Sequence, residues 1–116
     1  MDFSMEDTHY RGIPTVLVSG DVGALEGLAL RDFVLGIASG SVQGVIVEFM
    51  DVNYAEAESL FSLAELARSL HTTGQEMAVV CKNDNILRLF DLYGPHARLS
   101  VFDDLDSAAE YLWRAR

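Results

Sequence analysis

The side chains of this sequence that could do chemistry do not form a catalytic set. His9, His71 and His96 lie far apart in or near predicted loops, and none has a metal-binding partner at helical spacing. Cys81 lies in an apolar run without a neighbouring base that could activate it as a nucleophile. We therefore expect surface histidines, a buried thiol in a reducing compartment, no metal site and no catalytic residue.

Two other segments resemble ligand-binding motifs but lack the parts that bind. The acidic run at residues 103–106 has neither the central glycine nor the closing glutamate of a calcium loop, so we expect Asp103 and Asp104 to cap the last helix. Residues 20–27 follow a predicted strand and open a predicted helix, but their glycine spacing is not that of a dinucleotide site and they contain no P-loop lysine. No cofactor and no enzyme activity are predicted.

Two carboxylates occupy the remaining position at which chemistry could occur. Glu56 and Glu58 follow the apolar residues 45–49 and a polar stretch, and they precede the apolar-periodic residues 60–70. This order predicts a strand, a turn and a helix. The first turn of a helix has unpaired N–H groups and the positive end of the helix dipole, so it favours an anion. In this chain the anions are the protein's own side chains.

Hydrophobic periodicity predicts the elements that position these residues. Strands are predicted near residues 8–11, 15–19, 45–49, 77–81 and 99–102, and helices near 25–37, 56–71, 85–93 and after 104. The inward stripe of the first helix comprises Leu25, Leu28, Leu30, Phe33, Val34 and Ile37. We expect Gly94-Pro95 to end the third helix and residues 1–5 to be flexible. The predicted fold is α/β, with about five strands in a mixed, mostly parallel sheet and about four helices in the order ββαβαβαβα.

Composition narrows the classes of partner. The chain has 116 residues, half of them hydrophobic, which predicts one domain with a real core. The formal net charge of −10 argues against nucleic acid and anionic membranes and favours a partner with a basic face, although surface acidity also keeps small proteins soluble. The sequence shows neither a signal peptide nor a membrane-spanning stretch, so a cytoplasmic protein is expected unless the chain is part of a larger one.

The order and local sequence of these segments resemble the STAS domain, the family that includes bacterial anti-sigma factor antagonists. Five segments carry the resemblance: Val16-Leu17-Val18-Ser19-Gly20-Asp21-Val22 with its Gly-acid-aliphatic turn, the central strand 45–49, and residues 63–74, 85–94 and 101–108. The resemblance covers nearly the whole chain. It implies a single STAS-like domain over residues 1–116 that acts without catalysis by binding other proteins.

The resemblance also implies a regulatory site. In the family, the loop after the central strand reads Asp-Ser-Ser-Gly-Leu, and a partner kinase phosphorylates its second serine. Matching without gaps places Glu58 where that serine stands, and Leu60 matches the leucine. The partner-binding or regulatory residues predicted in this way are Asp21, Asn53, Tyr54, Glu56, Ala57, Glu58, Ser59 and Ser62.

Three interpretations of this site remain open. In the first interpretation, Glu58 is a permanent substitute for a phosphoserine, because both place negative charge on the first turn of a helix. Alternatively, Glu56 and Glu58 are ordinary first-turn acids in a chain that has lost the switch. In the third interpretation, the phosphorylated residue is a neighbour, Ser59 or Ser62.

The leading functional prediction is therefore a non-enzymatic interaction module. Its expected partners are a serine kinase of the anti-sigma type, a sigma regulator or other STAS chains. The alternatives are a small-ligand or lipid carrier that uses an apolar surface under the helices, a small enzyme, and a structural subunit such as a homodimer.

Overall fold

The computed structural model describes residues 2–41, 43–97 and 99–115. Its strands are β1 (Ser4–Tyr10), β2 (Ile13–Val22), β3 (Val45–Ala55), β4 (Met77–Val80) and β5 (Ser100–Phe102), and its helices are α1 (Ala24–Ala38), α2 (Ala57–Thr72), α3 (Asp84–Ala97) and α4 (Leu105–Arg114). The elements follow one another as ββαβαβαβα. The predicted α/β class and element order are confirmed.

The five strands form one sheet in the order β1-β2-β3-β4-β5. Strand β1 pairs antiparallel with β2, and the other neighbouring strands pair in parallel. A tight turn at Arg11 and Gly12, both with positive φ, joins the opening hairpin, as suits the right-handed twist of paired strands. Parallel strands place their carboxyl ends at one edge of the sheet, so the helices that follow β2 and β3 begin side by side.

Helices cover both faces of the sheet. Val47 of β3 belongs to the core under α1, α2 and α3, whereas the adjacent Ile46 belongs to a second core under α4. Successive side chains of a strand point to opposite faces, and for this reason an uninterrupted apolar run such as residues 45–47 forms a central strand. Strand β3 is therefore buried on both faces along this run.

Strand β3 is longer than predicted. We expected a turn after residue 49, but β3 continues to Ala55. Leu17 pairs with Glu48 while Ser19 pairs with Asp51, so β3 carries one extra residue there, and a second irregularity follows before Asp21. Each bulge breaks the alternation of buried and exposed side chains that identifies a strand in a sequence.

Two boundaries also differ from the prediction. Residues 1–5 were expected to be flexible, but β1 begins at Ser4, and Met5 packs against the core. Helix α3 does not end at Gly94-Pro95 and continues to Ala97. A proline removes one i→i−4 hydrogen bond, and the bond lost here belongs to the last turn of the helix.

Side-chain caps fix the starts of the last two helices. The Asn83 Oδ1 atom accepts hydrogen bonds from the backbone N–H groups of Asn85 and Ile86, at 3.0 and 3.2 Å. The Asp104 Oδ1 atom accepts one from Ser107 N at 2.7 Å, which confirms the predicted cap of α4. This hydrogen bond lowers the pKa of Asp104 below the ordinary value of 3.8 because it favours the charged carboxylate.

Helix α1 packs closely on α2 near the amino ends of both helices, and the segments that flank α2 also bond to α1. Ser59 of α2 lies so close to Gly27 of α1 that a Cβ added at Gly27 would be 2.5 Å from its Cα and Cβ. After α2, the Gln75 side chain donates to the carbonyl groups of Ala38 and Ser41 at the carboxyl end of α1, the latter at 2.6 Å. Before α2, the Glu56 side chain accepts a hydrogen bond from Ala24 N at the amino end of α1.

Alanine substitution should have opposite effects on stability at two glycines of α1, because only one of them lies at the crossing with α2. We expect Gly27→Ala to lower the free energy of unfolding by about 1–3 kcal/mol, the usual cost of overpacking. Gly36 is the matched control, since nothing lies within 4 Å of a Cβ there. Gly36→Ala should stabilise the protein by about 0.5–1 kcal/mol through helix propensity. Urea unfolding measures both, and a Gly27→Ala protein as stable as Gly36→Ala would contradict the crossing.

The Asp104 cap predicts a pH dependence. The folded-state pKa of Asp104 is lowered, so its stabilisation is complete above the ordinary aspartate pKa and is lost as the pH falls through the lowered value. Asp104→Ala should therefore reduce the urea midpoint at pH 7, and the difference from wild type should shrink as the pH falls below about 3.8. A difference that stays constant down to pH 2 would exclude a charged cap.

Candidate functional site

The carboxyl ends of β2 and β3 meet the amino ends of α1 and α2 at one edge of the sheet. Val22 and Ala55 are paired at the ends of these two strands. The chain then enters α2, and Glu56 N donates to Val22 O at 2.9 Å. All the predicted site residues lie at this edge or in the first two turns of α2.

Glu56 connects the starts of two helices. Its backbone is the N-cap of α2, in an extended conformation, but its side chain makes no capping bond to α2. Instead, the Glu56 Oε2 atom accepts a hydrogen bond from Ala24 N, the first residue of α1, at 2.9 Å. We had expected the Glu56 carboxylate to occupy the first turn of α2. It neutralises the positive end of α1.

Glu58 has the opposite role, because it faces solvent. It is the second residue of α2 and is exposed. Its carbonyl accepts from Ser62 Oγ at 3.1 Å, whereas its carboxylate has no hydrogen bond or ion pair with the part of the chain that the structure describes. Glu58 thus places a solvent-exposed negative charge in the first turn of α2.

The two serines near Glu58 are differently placed. Ser59 is fully buried under α1, and its hydroxyl donates to Glu56 O at 2.6 Å. A kinase cannot reach this hydroxyl without moving α1 away from α2. Ser62 is partly exposed, but its hydroxyl is bonded within the helix to the Glu58 carbonyl.

The other predicted residues lie on the strands and at the helix start. Asp21 and Tyr54 are register partners at the ends of β2 and β3, and both are exposed, Tyr54 to 56%. Asn53 is also exposed. We had placed Asn53 and Tyr54 in a loop, but the second bulge of β3 directs them outwards from a strand. Ala57 is half-buried at the first position of α2.

Sequence reasoning missed two exposed leucines at the same edge. Leu25 is 77% exposed and Leu28 is 41% exposed, although we assigned both to the inward stripe of α1. The buried positions of this helix are Gly27, Leu30, Val34 and Ala38. Gly27 and Ala38 were the available signal, since small residues at helical spacing mark a face that packs closely on another element.

Among the side chains that the structure describes, which do not include that of His96, the residues considered for chemistry do not form one cluster. Burial raises the pKa of the Cys81 thiol, so it stays protonated at neutral pH and is a poor nucleophile. The His71 Nδ1 atom lies 2.8 Å from Glu76 Oε1, a contact that joins the end of α2 to the residue before β4. Within residues 2–41, 43–97 and 99–115, no three His, Cys, Asp or Glu side chains could hold a metal ion.

No helix in the part of the chain that the structure describes is both long enough and apolar enough to cross a membrane.

Comparison with known proteins identifies the fold. No protein-family model and no curated protein sequence matches the chain. Solved structures match it over nearly its full length. An anti-sigma factor antagonist from Mycobacterium paratuberculosis is 19% identical, with a TM-score of 0.82 over 97% of this chain and 95% of that one.

Two further solved structures, one phosphorylated and one carrying a substitution, match the chain. The phosphorylated form of the Bacillus cell fate determinant SpoIIAA is 14% identical, with a TM-score of 0.66 over 99% of this chain and all of that one. Moorella thermoacetica RsbS with a serine-to-glutamate substitution is 11% identical, with a TM-score of 0.74 over 95% of each chain. The resemblance seen in the sequence is thereby confirmed at the level of architecture: this chain has the STAS-domain fold of the anti-sigma factor antagonists.

Proposed function

We propose that this protein is a non-enzymatic interaction module that binds a regulatory protein through the end of β3 and the start of α2. Glu58 supplies a fixed negative charge in this contact. The observation that carries the proposal is the exposed Glu58 carboxylate at the amino end of α2, with no partner among the described residues. Its position matches the switchable serine of the family that the sequence resembles.

The physical chemistry of the helix start supports a fixed charge. A phosphoserine there would carry about −1.5 to −2 charges near neutral pH, whereas Glu58 carries one. The favourable interaction of an exposed carboxylate with the helix dipole is about 0.3–1 kcal/mol. Glu58 therefore provides part of the electrostatic effect of a phosphate, and no kinase can add or remove it.

The neighbouring serines fit a switch less well. Ser59 is buried at the crossing with Gly27, so its phosphorylation would require α1 and α2 to separate. Ser62 is the sixth residue of α2, and the favourable dipole effect falls off within the first turn. Of the three interpretations left open by the sequence, burial and position favour a permanent charge at Glu58 over a phosphorylated neighbour.

The fold supports the kind of partner. The similar structures include anti-sigma factor antagonists, whose name states that they act against anti-sigma factors. By analogy, we propose an anti-sigma serine kinase or another STAS-domain chain as the partner, acting in the cytoplasm. The strong negative charge of the chain suits a partner with a basic face.

A kinase-binding experiment tests the role of Glu58. Anti-sigma serine kinases from the same genome are titrated with wild type, Glu58→Ala and Glu58→Ser by calorimetry. We expect both variants to bind about 3- to 10-fold more weakly, since one partly exposed charge contact contributes about 1 kcal/mol. Phosphorylation of Glu58→Ser at position 58 should restore the affinity.

Two results would count against the proposal. One is that no such kinase binds wild type or Glu58→Ser. The other is that a kinase places phosphate on Ser59 or Ser62 of the wild-type protein, because the switch would then be a serine and not a fixed carboxylate.

The separate roles of Glu56 and Glu58 predict different effects on stability. Glu56→Ala should lower the free energy of unfolding by about 0.5–2 kcal/mol, because Ala24 N loses a capping acceptor. Glu58→Ala removes only a dipole interaction and should cost less than about 1 kcal/mol. Thermal and urea unfolding of the two variants compare them directly, and a larger loss for Glu58→Ala would reverse the assignment.

A further inference from the structure

We propose that the part of the sheet that α4 leaves uncovered binds an amphipathic helix of another protein, one with lysine or arginine beside its apolar side chains. We call this part the open corner, and it comprises Glu6 of β1, Leu17 of β2, and Glu48, Asp51 and Tyr54 of β3. It lies on the opposite face of the sheet from α1 and α2. The proposal goes beyond the proposed function, because it adds a second contact surface to the one at the start of α2.

Strand pairing brings the side chains of the open corner together. Leu17 is paired with Glu6 of β1 on one side and with Glu48 of β3 on the other. Two residues further along β2, Ser19 is paired with Asp51. Paired residues of neighbouring strands lie about 5 Å apart and point to the same face of the sheet. The three carboxylates therefore surround the Leu17 side chain.

The alternation of side chains along each strand shows which face this is. The core under α1, α2 and α3 contains or contacts the residues adjacent in sequence to the open corner: Met5, Val16, Val18, Val47, Phe49, Val52 and Ala55. Successive side chains of a strand point to opposite faces, so those of the open corner point away from α1 and α2. The Ser4 and Ser19 hydroxyls lie on the same side of β1 and β2, 2.6 Å apart.

Helix α4 covers only the rest of this face. It begins just after β5, and near its end Trp113 Nε1 donates to Arg11 O at 3.2 Å, in the turn between β1 and β2. The helix thus crosses the sheet from β5 to the opening hairpin, and Ile13 and Ile46 are fully buried in the core under it. Leu17 lies on the same side of β2 as Ile13 but is only half-buried. The corner of the sheet where β2 and β3 end is therefore left open.

The open corner combines apolar surface with negative charge. Tyr54 is 56% exposed, and Glu6 and Asp51 are exposed beside the half-buried Leu17. Within the part of the chain that the structure describes, the carboxylates of Glu6, Glu48 and Asp51 form no ion pair. Large apolar groups collected at one exposed place mark interaction sites in folded proteins. Carboxylates around them favour a partner that brings positive charge.

Charge and width indicate which partner fits the open corner. In a symmetric dimer the same surface of each copy meets itself, so the three carboxylates of one copy would face those of the other, which is unfavourable. Neighbouring strands lie about 4.8 Å apart, so the outer two of the three strands are about 10 Å apart. A helix with its side chains is about 10–12 Å wide. A basic amphipathic helix therefore matches the corner in both charge and width, and α4 already packs on the same face.

A synthetic peptide tests the inference without a natural partner. The probe is an amphipathic helix of about 18 residues, long enough to be helical, with leucine on one face and lysine on the other, and its control has glutamate in place of lysine. We expect the lysine peptide to bind wild type and to shift the NMR signals of Leu17 and Tyr54, and the glutamate peptide not to bind. Glu6→Lys with Asp51→Lys should weaken binding at least about tenfold, because like charges then meet. Tyr54→Ser should weaken it about threefold or more by removing an apolar contact.

The matched control makes the same change in net charge on the other face of the sheet. Glu65→Lys with Asp91→Lys replaces exposed acids of α2 and α3 and should bind the lysine peptide like wild type. Equal weakening by this control would overturn the inference, because net charge alone would then attract the peptide, and so would no binding by wild type. A wild-type dimer in sedimentation that Tyr54→Ser dissolves would also overturn it, since the occupant would then be a second copy. Kinase binding to Glu58 variants tests the proposed function separately, so each can fail without the other.

Discussion

The hydrogen bond between the Glu56 carboxylate and Ala24 N is the contact on which the site depends. It lies where β2 and β3 end and where α1 and α2 begin, and it joins residues that are 32 positions apart. With the Gly27–Ser59 crossing and the Gln75 side chain at the other end of α1, it fixes α1 against α2. One acid thereby serves the fold, and Glu58, two residues later, is left to face solvent.

The different roles of Glu56 and Glu58 explain how the start of α2 can be held in place and still expose a charged side chain. The first turn of α2 buries Ser59 and exposes Glu58, because adjacent residues of a helix point in directions about 100° apart. A hydroxyl at the buried position stabilises the turn by bonding to Glu56 O. In the function that we propose, the carboxylate at the exposed position supplies negative charge without a covalent modification.

The sequence predicts the architecture well because its signals are local. Apolar runs such as residues 45–49 and the Asp104 cap need no distant information. The site was less predictable because its contacts are not local. The bulges of β3 interrupt its alternating pattern, so the sequence did not predict the part of the strand that carries Tyr54. The hydrogen-bond partner of the Glu56 carboxylate lies on another helix, 32 residues away. The exposure of Leu25 follows from which face of α1 meets α2, and periodicity alone did not show it.

The central claim is that the negative charge of this surface is built in and does not come from phosphorylation. The most direct measurement is site-mapped mass spectrometry of the protein isolated from its own cells, during growth and under stress. The account predicts that Ser59 and Ser62 carry no phosphate in either condition. Stoichiometric phosphate on either serine would contradict this claim, because the charge of the surface would then be set by phosphorylation.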